Sequence, residues 1–143
     1  MALQASNAHR KRCLDYMPAA TIKAVLVMTN TQAGDEVAKD STTCGGFTLD
    51  AFDGSNGDPV TLTLTAAQDN DNDRGKVTQT DNKIEWDGIT GGTRNIAGVA
   101  FVEWITDLPS SRFLGYAPFA SAYETWGADL RVNCSSEGIF YNA

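Results

Sequence analysis

The sequence predicts a mainly β fold, a single antiparallel β-sandwich of jelly-roll-like type that follows one short N-terminal helix. Short segments rich in β-branched and aromatic residues recur at intervals of about ten residues, with turn residues between them. They do not alternate with helical stretches, as the strands of a parallel α/β sheet would. The chain has 143 residues, 42% of them hydrophobic, which suffices for the core of one domain. We therefore expect a helical arm over residues 1–18 and a β-sandwich domain over residues 19–143.

The N-terminal helix is predicted from its capping residues and a short apolar pattern. Ser6 or Asn7 can cap it, because a side-chain oxygen there accepts a hydrogen bond from a free amide of the first turn. Leu14 and Met17 lie three positions apart on one face, and Pro18 ends the helix. The apolar stripe is narrow, so we expect the helix to lie at a sheet edge or to dock on a neighbouring molecule.

The clearest predicted strand is residues 60–65, where apolar residues alternate with threonine as in a half-buried antiparallel strand. Residues 21–28 and 96–105 are continuous apolar runs and are predicted to be buried strands. The other predicted strands are shorter and comprise residues 47–52, 76–80, 82–86, 113–119, 129–134 and 138–141.

The charge of the chain is negative overall and unevenly distributed. The formal net charge is -7, yet residues 1–34 carry four Lys or Arg against one acid, whereas residues 35–87 carry twelve acids against four Lys or Arg. An acidic chain is a poor candidate for binding nucleic acid, which needs clustered cations. No apolar run approaches the length of a membrane span, and residues 1–17 lack the apolar core of a secretory signal. We expect neither a nucleic-acid nor a membrane partner.

The three cysteines, Cys13, Cys44 and Cys134, argue against a secreted disulfide framework, since their number is odd and no pair has the CxxC spacing. We expect reduced, mostly buried thiols in a chain made in a cytosol. The single histidine, His9, lies four residues before Cys13, which would place both side chains on one helix face. Only Asp15 is near enough in sequence to orient this histidine, so a catalytic cysteine is disfavoured and no enzymatic activity is expected.

One acidic segment has the spacing of a calcium-binding loop. Asp69, Asp71 and Asp73 alternate as at the start of an EF-hand, but Arg74 and Thr80 occupy the positions of its glycine and its bidentate glutamate. A solvated, turn-forming loop is the favoured interpretation. We keep these three aspartates as a weak calcium candidate and expect no cofactor.

Isolated acids and tryptophans offer a third kind of site. Glu103 lies in an apolar segment, but no second carboxylate is tied to it by spacing, so a glycosidase pair is not predicted. Trp86, Trp104 and Trp126 could line a sugar-binding surface, although tryptophans are more often core or interface residues. A carbohydrate-binding β-sandwich module is therefore retained as an alternative.

A series of short motifs along the chain resembles one protein family. The segment with most weight is Phe113-Leu114-Gly115-Tyr116-Ala117-Pro118-Phe119, which is similar to the family's Leu-Leu-Gly-Tyr-Gly segment. Further landmarks are Leu14-Asp15, Gly34-Asp35-Glu36-Val37, Gly45-Gly46-Phe47, Val77-Thr78-Gln79-Thr80-Asp81, Ile84-Glu85-Trp86, Gly91-Gly92 and Trp126-Gly127-Ala128-Asp129-Leu130. Together they resemble the small β-rich virion proteins of tailed bacteriophages, which include decoration, capsid-cement and tail-fibre-like proteins.

This resemblance implies a virion protein without enzymatic activity, assembled in the host cytoplasm. The expected function is capsid decoration or cementing, with the major capsid protein or other virion proteins as partners, and a homo-oligomer, such as a trimer, as the assembled form. A neck, tail-fibre or baseplate adaptor is the alternative within the virion. Because the N-terminal segment is basic, it is the expected docking surface, and its candidate interface residues are Arg10, Lys11, Arg12, Leu14 and Met17.

Overall fold

The chain folds mainly as antiparallel β-structure, as predicted. The computed structural model describes residues 6–135 and 138–142. Its helices are α1 (Asn7–Arg12) and α2 (Glu36–Lys39), with 3₁₀ turns at Cys44–Gly46 and Thr80–Asn82. Its strands are β1 (Ile22–Met28), β2 (Val60–Thr61), β3 (Leu64–Asp69), β4 (Arg74–Gln79), β5 (Lys83–Trp86), β6 (Ile96–Glu103), β7 (Arg112–Tyr123), β8 (Leu130–Asn133) and β9 (Phe140–Asn142). No helix in this part of the chain is long and apolar enough to cross a membrane. The sandwich arrangement of the sheets stays a prediction.

The chain divides into two compact units, which do not follow the predicted boundary after residue 18. The first unit draws on Met1–Thr21, Leu62–Ile84 and Val132–Ala143, and the second on Ile22–Thr61 and Glu85–Arg131. The helix α1 therefore lies in one unit with β3, β4 and β9, and is not a separate arm. The strands β5 and β8 pair as a two-stranded sheet.

The centre of the second unit is the antiparallel pair of β1 and β6. A four-stranded sheet has the order β2-β1-β6-β7, and seven residue pairs join β1 to β6, from Ile22 opposite Glu103 to Met28 opposite Ile96. Both strands are almost entirely buried, which agrees with their continuous apolar runs. The core cluster on this sheet comprises Val25, Val27, Ala33, Cys44, Leu49, Ala100 and Val102.

In the first unit, α1 packs against β4 of the antiparallel sheet β3-β4-β9. The contact depends on Gly75, where an added Cβ would lie 2.6 Å from the carbonyl carbon of Arg10 and 2.6 Å from the backbone nitrogen of Lys11. Only a residue without a side chain lets the helix backbone come so close to the strand.

The helix α1 begins where it was predicted and ends early. The Ser6 hydroxyl accepts a hydrogen bond from the His9 amide at 3.2 Å and so caps the first turn. The α-helix ends at Arg12, and residues 13–19 continue as turns. Met17, which was expected on the apolar face of the helix, lies beyond its end and is buried, with 2% exposure.

Two predicted strands differ from the observed ones. Residues 60–65 divide into β2, which pairs with β1, and β3, which pairs with β4. The structure describes residues 47–52 fully and shows no strand there, only an isolated bridge between Ala51 and Val27. Asp50 has a φ of 55°, which turns the backbone out of an extended path. The other predicted strands occur with shifted ends.

We expect Gly75→Ala to lower the free energy of unfolding by about 1–3 kcal/mol, because the new methyl group forces α1 away from β4. Urea denaturation of the full chain measures this loss. The matched control is Gly34→Ala, whose Cβ would meet only ring atoms of Tyr116 at 3.5 Å, an ordinary contact. Equal destabilisation by both substitutions would contradict this account of the helix contact.

Candidate functional site

The strand β7 is the candidate functional element, because it is long and lies at the edge of its sheet. It comes last in the order β2-β1-β6-β7, and within the described residues no named strand pairs with its outer side. It spans twelve residues, and none of them is fully buried. Residues 113–123 contain no charged side chain. Soluble proteins usually protect such an edge with charges or cover it, so β7 has the properties of a pairing site for another polypeptide.

A hydrogen-bonded turn fixes the start of β7. The Asp107 carboxylate accepts a bond from the Ser110 amide at 3.0 Å, and the Ser111 hydroxyl donates to the Asp107 carbonyl at 2.6 Å. Ser111 is completely buried, and its carbonyl accepts a bond from the Cys44 amide at 2.9 Å. These bonds join the turn to the core cluster and give β7 a rigid starting point.

A groove of about 550 Å³ follows the outer edge of β7. The groove begins after Arg112, whose backbone forms an isolated β-bridge with Thr43. Residues 113–116 and Pro118 form one wall, and residues 33–41, which include α2, contribute the other. The lining is largely apolar, with few polar side chains, so the groove suits uncharged side chains of a bound segment.

Two aromatic residues, Phe113 and Tyr116, fix the β7 wall of the groove by packing against the core. The rings of Phe113 and Phe47 pack edge to face, with centroids 5.0 Å apart and planes at 66°. Tyr116 packs against the same core cluster, and its partial burial raises the pKa of its phenol. Because these side chains are held by the core, the groove is formed before any partner binds.

The second half of β7 bulges away from β6. Pro118 lies opposite Gly98 and Tyr123 opposite Ile96, so β7 uses five residue steps where β6 uses two. The extra residues form a bulge in which Ala120, Ser121 and Ala122 are all exposed. The bulge therefore presents three small side chains to the solvent, next to the groove-lining half of the strand.

Three of the five predicted interface residues are engaged inside the first unit. Arg10 donates hydrogen bonds to the Asp73 carbonyl and to the side-chain oxygen of Asn7, the latter at 3.3 Å. Met17 is buried and Leu14 is half-buried. These side chains support the packing of the N-terminal segment in its own unit.

The other two predicted interface residues face the solvent. Lys11 forms an ion pair with Asp15 at 2.9 Å on the surface, and Arg12 is exposed at the end of α1. Such an exposed ion pair contributes little to stability, so its lysine can exchange partners at low cost. The basic surface left for a partner consists of Lys11 and Arg12.

The three aspartates of the calcium candidate have different surroundings. Asp69 is buried, and its carboxylate accepts hydrogen bonds from Asn72 at 2.9 Å and from Arg74 at 2.8 Å, which lower its pKa. Asp71 and Asp73 are exposed. In the described ranges, no three His, Cys, Asp or Glu side chains come together as a metal-binding group. The calcium site stays a prediction. The first of its proposed ligands, Asp69, already binds Arg74.

The cysteines are free thiols with different exposure. Cys44 is buried, which raises the pKa of its thiol to about 11, Cys134 is intermediate and Cys13 is exposed. The expectation of mostly buried thiols is therefore wrong for Cys13. Its sulfur lies 3.8 Å from Nε2 of His9, so the predicted helical spacing does bring the two side chains together.

The three tryptophans differ in their exposure to solvent. Trp86 is buried and donates from Nε1 to the Asp58 carbonyl at 2.9 Å. Trp104 is half-buried, with the Lys23 ammonium 4.0 Å from its ring centroid. Trp126 is 72% exposed and is the tryptophan available to a ligand.

Comparison of the chain with protein-family models, curated proteins and solved structures found no match. The β7 edge was not among the site residues predicted from the sequence, although residues 113–119 were predicted to be a strand. The signal that could have identified it is the absence of charge over residues 113–123, since exposed strands in soluble proteins usually carry some.

The turn before β7 predicts a pH dependence. Hydrogen bonds from the Ser110 side chain and backbone lower the pKa of the Asp107 carboxyl. A lowered folded-state pKa stabilises the fold above the unfolded value of about 3.9, and this stabilisation is lost as the pH falls through the folded value. We expect Ser110→Ala to raise the pKa of Asp107 in an NMR titration. The pKa of Asp53, which Thr93 lowers, is the internal control, and an unchanged Asp107 would contradict the assignment.

Proposed function

We propose that this chain is a non-enzymatic structural protein of a tailed-bacteriophage virion, which decorates or cements the capsid through protein–protein contacts. The virion assignment is based on the resemblance of the sequence motifs. The observation that carries the binding role is the twelve-residue edge strand β7, uncharged over residues 113–123, with its groove. The jelly-roll-like sandwich belongs to the proposal, because a rigid β body suits a protein that acts through its surfaces.

The β7 edge can provide both affinity and specificity for contact with another polypeptide of the particle, which includes a second copy of this chain. A strand added to a sheet edge gains main-chain hydrogen bonds, and pockets for alternate side chains select its sequence. The apolar groove beside residues 113–116 is such a pocket. A specific contact needs about 800 Å² per partner. Many copies on a capsid lattice add avidity to each single contact.

The basic surface on α1 is the second part of the proposed docking. Lys11 and Arg12 lie at the exposed end of the helix, while Arg10 is held by the Asp73 carbonyl. Exposed cations guide a protein toward an acidic partner surface and increase the rate of association. We propose that Lys11 and Arg12 contact the major capsid protein or a neighbouring virion protein.

A neck, tail-fibre or baseplate adaptor uses the same kind of protein contact at another place in the virion. Copy number separates the two roles, because cement proteins cover the repeated capsid lattice and adaptors occupy one vertex or the tail. Quantitative mass spectrometry of purified particles counts the copies. Hundreds of copies support the cement role, while a dozen or fewer support the adaptor.

The exposed Trp126 favours a second candidate, a carbohydrate-binding module. With 72% of its surface exposed, its ring could stack on a sugar face. Binding to a glycan array that disappears in Trp126→Ala, with Trp104→Phe as the control, would support this candidate. We expect no such binding, since the other tryptophans are half-buried or buried.

The docking proposal predicts that Arg12→Glu reduces occupancy of purified particles by about tenfold, because reversing one contacting charge costs on the order of 1 kcal/mol or more. A point substitution tests this better than a deletion of residues 1–17, which would also remove the buried Met17. Occupancy is measured by adding labelled chain back to depleted particles.

The matched control for Arg12→Glu is Arg131→Glu, which makes the same substitution on an exposed side chain of β8, away from the groove. The control should keep the occupancy of the unmodified chain. Full occupancy by Arg12→Glu, or equal loss by both variants, would exclude the end of α1 as the docking surface.

A further inference from the structure

We propose that the outer edge of β7 pairs with the same edge of a second copy of this chain, antiparallel and across a two-fold axis at Pro118. The dimer would form in solution, so the inference does not rest on the virion assignment. A two-fold contact uses one surface on both copies, and this surface must therefore be complementary to itself. Three properties of β7 fulfil this condition.

The first property is the placement of charge. Residues 113–123 are uncharged, and the segment is bounded by Arg112 and Glu124. With the axis at Pro118, which lies midway between them, the side chain of Arg112 in one copy lies near Glu124 of the other, just beyond the paired residues, because the outer side of the Arg112 backbone is already bridged to Thr43. The side chain of Arg112 is 62% exposed and forms an ion pair with Glu103 at 3.6 Å. A guanidinium has five N–H donors, so it can bind a second carboxylate as well. Opposite charges that lie close together at each end of the paired segment stabilise the pair.

The second property is the alternation of large and small side chains. In this register the large residues Leu114, Tyr116 and Phe119 each face an alanine, and the aromatic ends of the segment face each other. The facing pairs are Phe113 with Tyr123, Leu114 with Ala122, Gly115 with Ser121, Tyr116 with Ala120 and Ala117 with Phe119. Side chains of facing residues lie on the same face about 5 Å apart, so large opposite small fills the space without a clash.

The third property is the fit between bulge and groove. The register brings Ala120, Ser121 and Ala122 of one copy alongside residues 113–116 of the other, which form a wall of the groove. These three residues are exposed in the single chain and carry no charge. A groove that is largely apolar and open at the strand edge can take side chains of this size. The symmetry makes the insertion reciprocal, with two grooves filled at once.

Pro118 selects the position of the axis. Proline has no N–H, so it contributes no donor to strand pairing. In an off-axis register the two prolines would interrupt the pairing at two places, whereas on the axis they interrupt it at one. Moving the axis by one residue would place Leu114 opposite Glu124, or Arg112 opposite Ala122. The positions of the charged residues Arg112 and Glu124 and the position of Pro118 therefore favour the same register.

Sedimentation equilibrium of the full chain tests the pairing. We expect a dimer, and we expect Ser121→Lys to raise its dissociation constant by about 100-fold or more, because a lysine in the apolar groove is an unpaired buried charge. Ala128→Lys, which adds the same charge at an exposed position outside β7, should remain dimeric. A monomeric unmodified chain, or a dimer that Ser121→Lys leaves unchanged, overturns the proposal.

Cysteine cross-linking tests the register. In a Cys13→Ser, Cys134→Ser background, which leaves the buried Cys44, Pro118→Cys places two thiols on the axis. Facing residues have Cα atoms about 4.5–5.5 Å apart, within the range of a disulfide. Oxidation with diamide should give a covalent dimer. Ala122→Cys is the control, because its two thiols would lie more than about 20 Å apart. Equal cross-linking of both variants, or none by Pro118→Cys, excludes this axis.

Discussion

The antiparallel pairing of β1 with β6 is the interaction on which the larger unit depends. Their buried apolar side chains make these strands the centre of the four-stranded sheet and so determine that β2 and β7 are its edges. A central strand has both hydrogen-bonding sides occupied, whereas each edge strand has one side free. Because β2 spans two residues and β7 spans twelve, most of the free edge of this sheet belongs to β7.

The free edge of β7 explains why binding to another polypeptide is the function that we propose. The strand is held at its start by the turn at Asp107 and over residues 112–118 by β6, so the outer side of this half is formed in advance. A preformed surface avoids the loss of conformational entropy that a flexible segment suffers on binding. Pairing of two such edges across a two-fold axis closes the contact, while head-to-tail pairing would continue into filaments. A closed dimer can then bind a lattice through two equivalent surfaces.

The sequence predicted the strands with the strongest local signals and missed features that depend on distant contacts. The runs at β1 and β6 are apolar on both faces, so their burial followed from composition alone. The alternation over residues 60–65 was real, but it carries no information on pairing partners, and the segment divides between two sheets. Gly75 is unremarkable in sequence, although it places α1 on β4. The same contact explains why Arg10, predicted to bind a partner, binds within its own unit.

The central claim is that a second polypeptide chain, another copy of this one, covers the outer edge of β7. Hydrogen–deuterium exchange of the full chain, measured over residues 113–123 at increasing protein concentration, tests it most directly, since backbone amides exchange slowly once they are hydrogen-bonded. We predict that protection of these amides rises with concentration while that of β1 and β6 stays constant. Exchange in β7 that is fast and independent of concentration would contradict the claim.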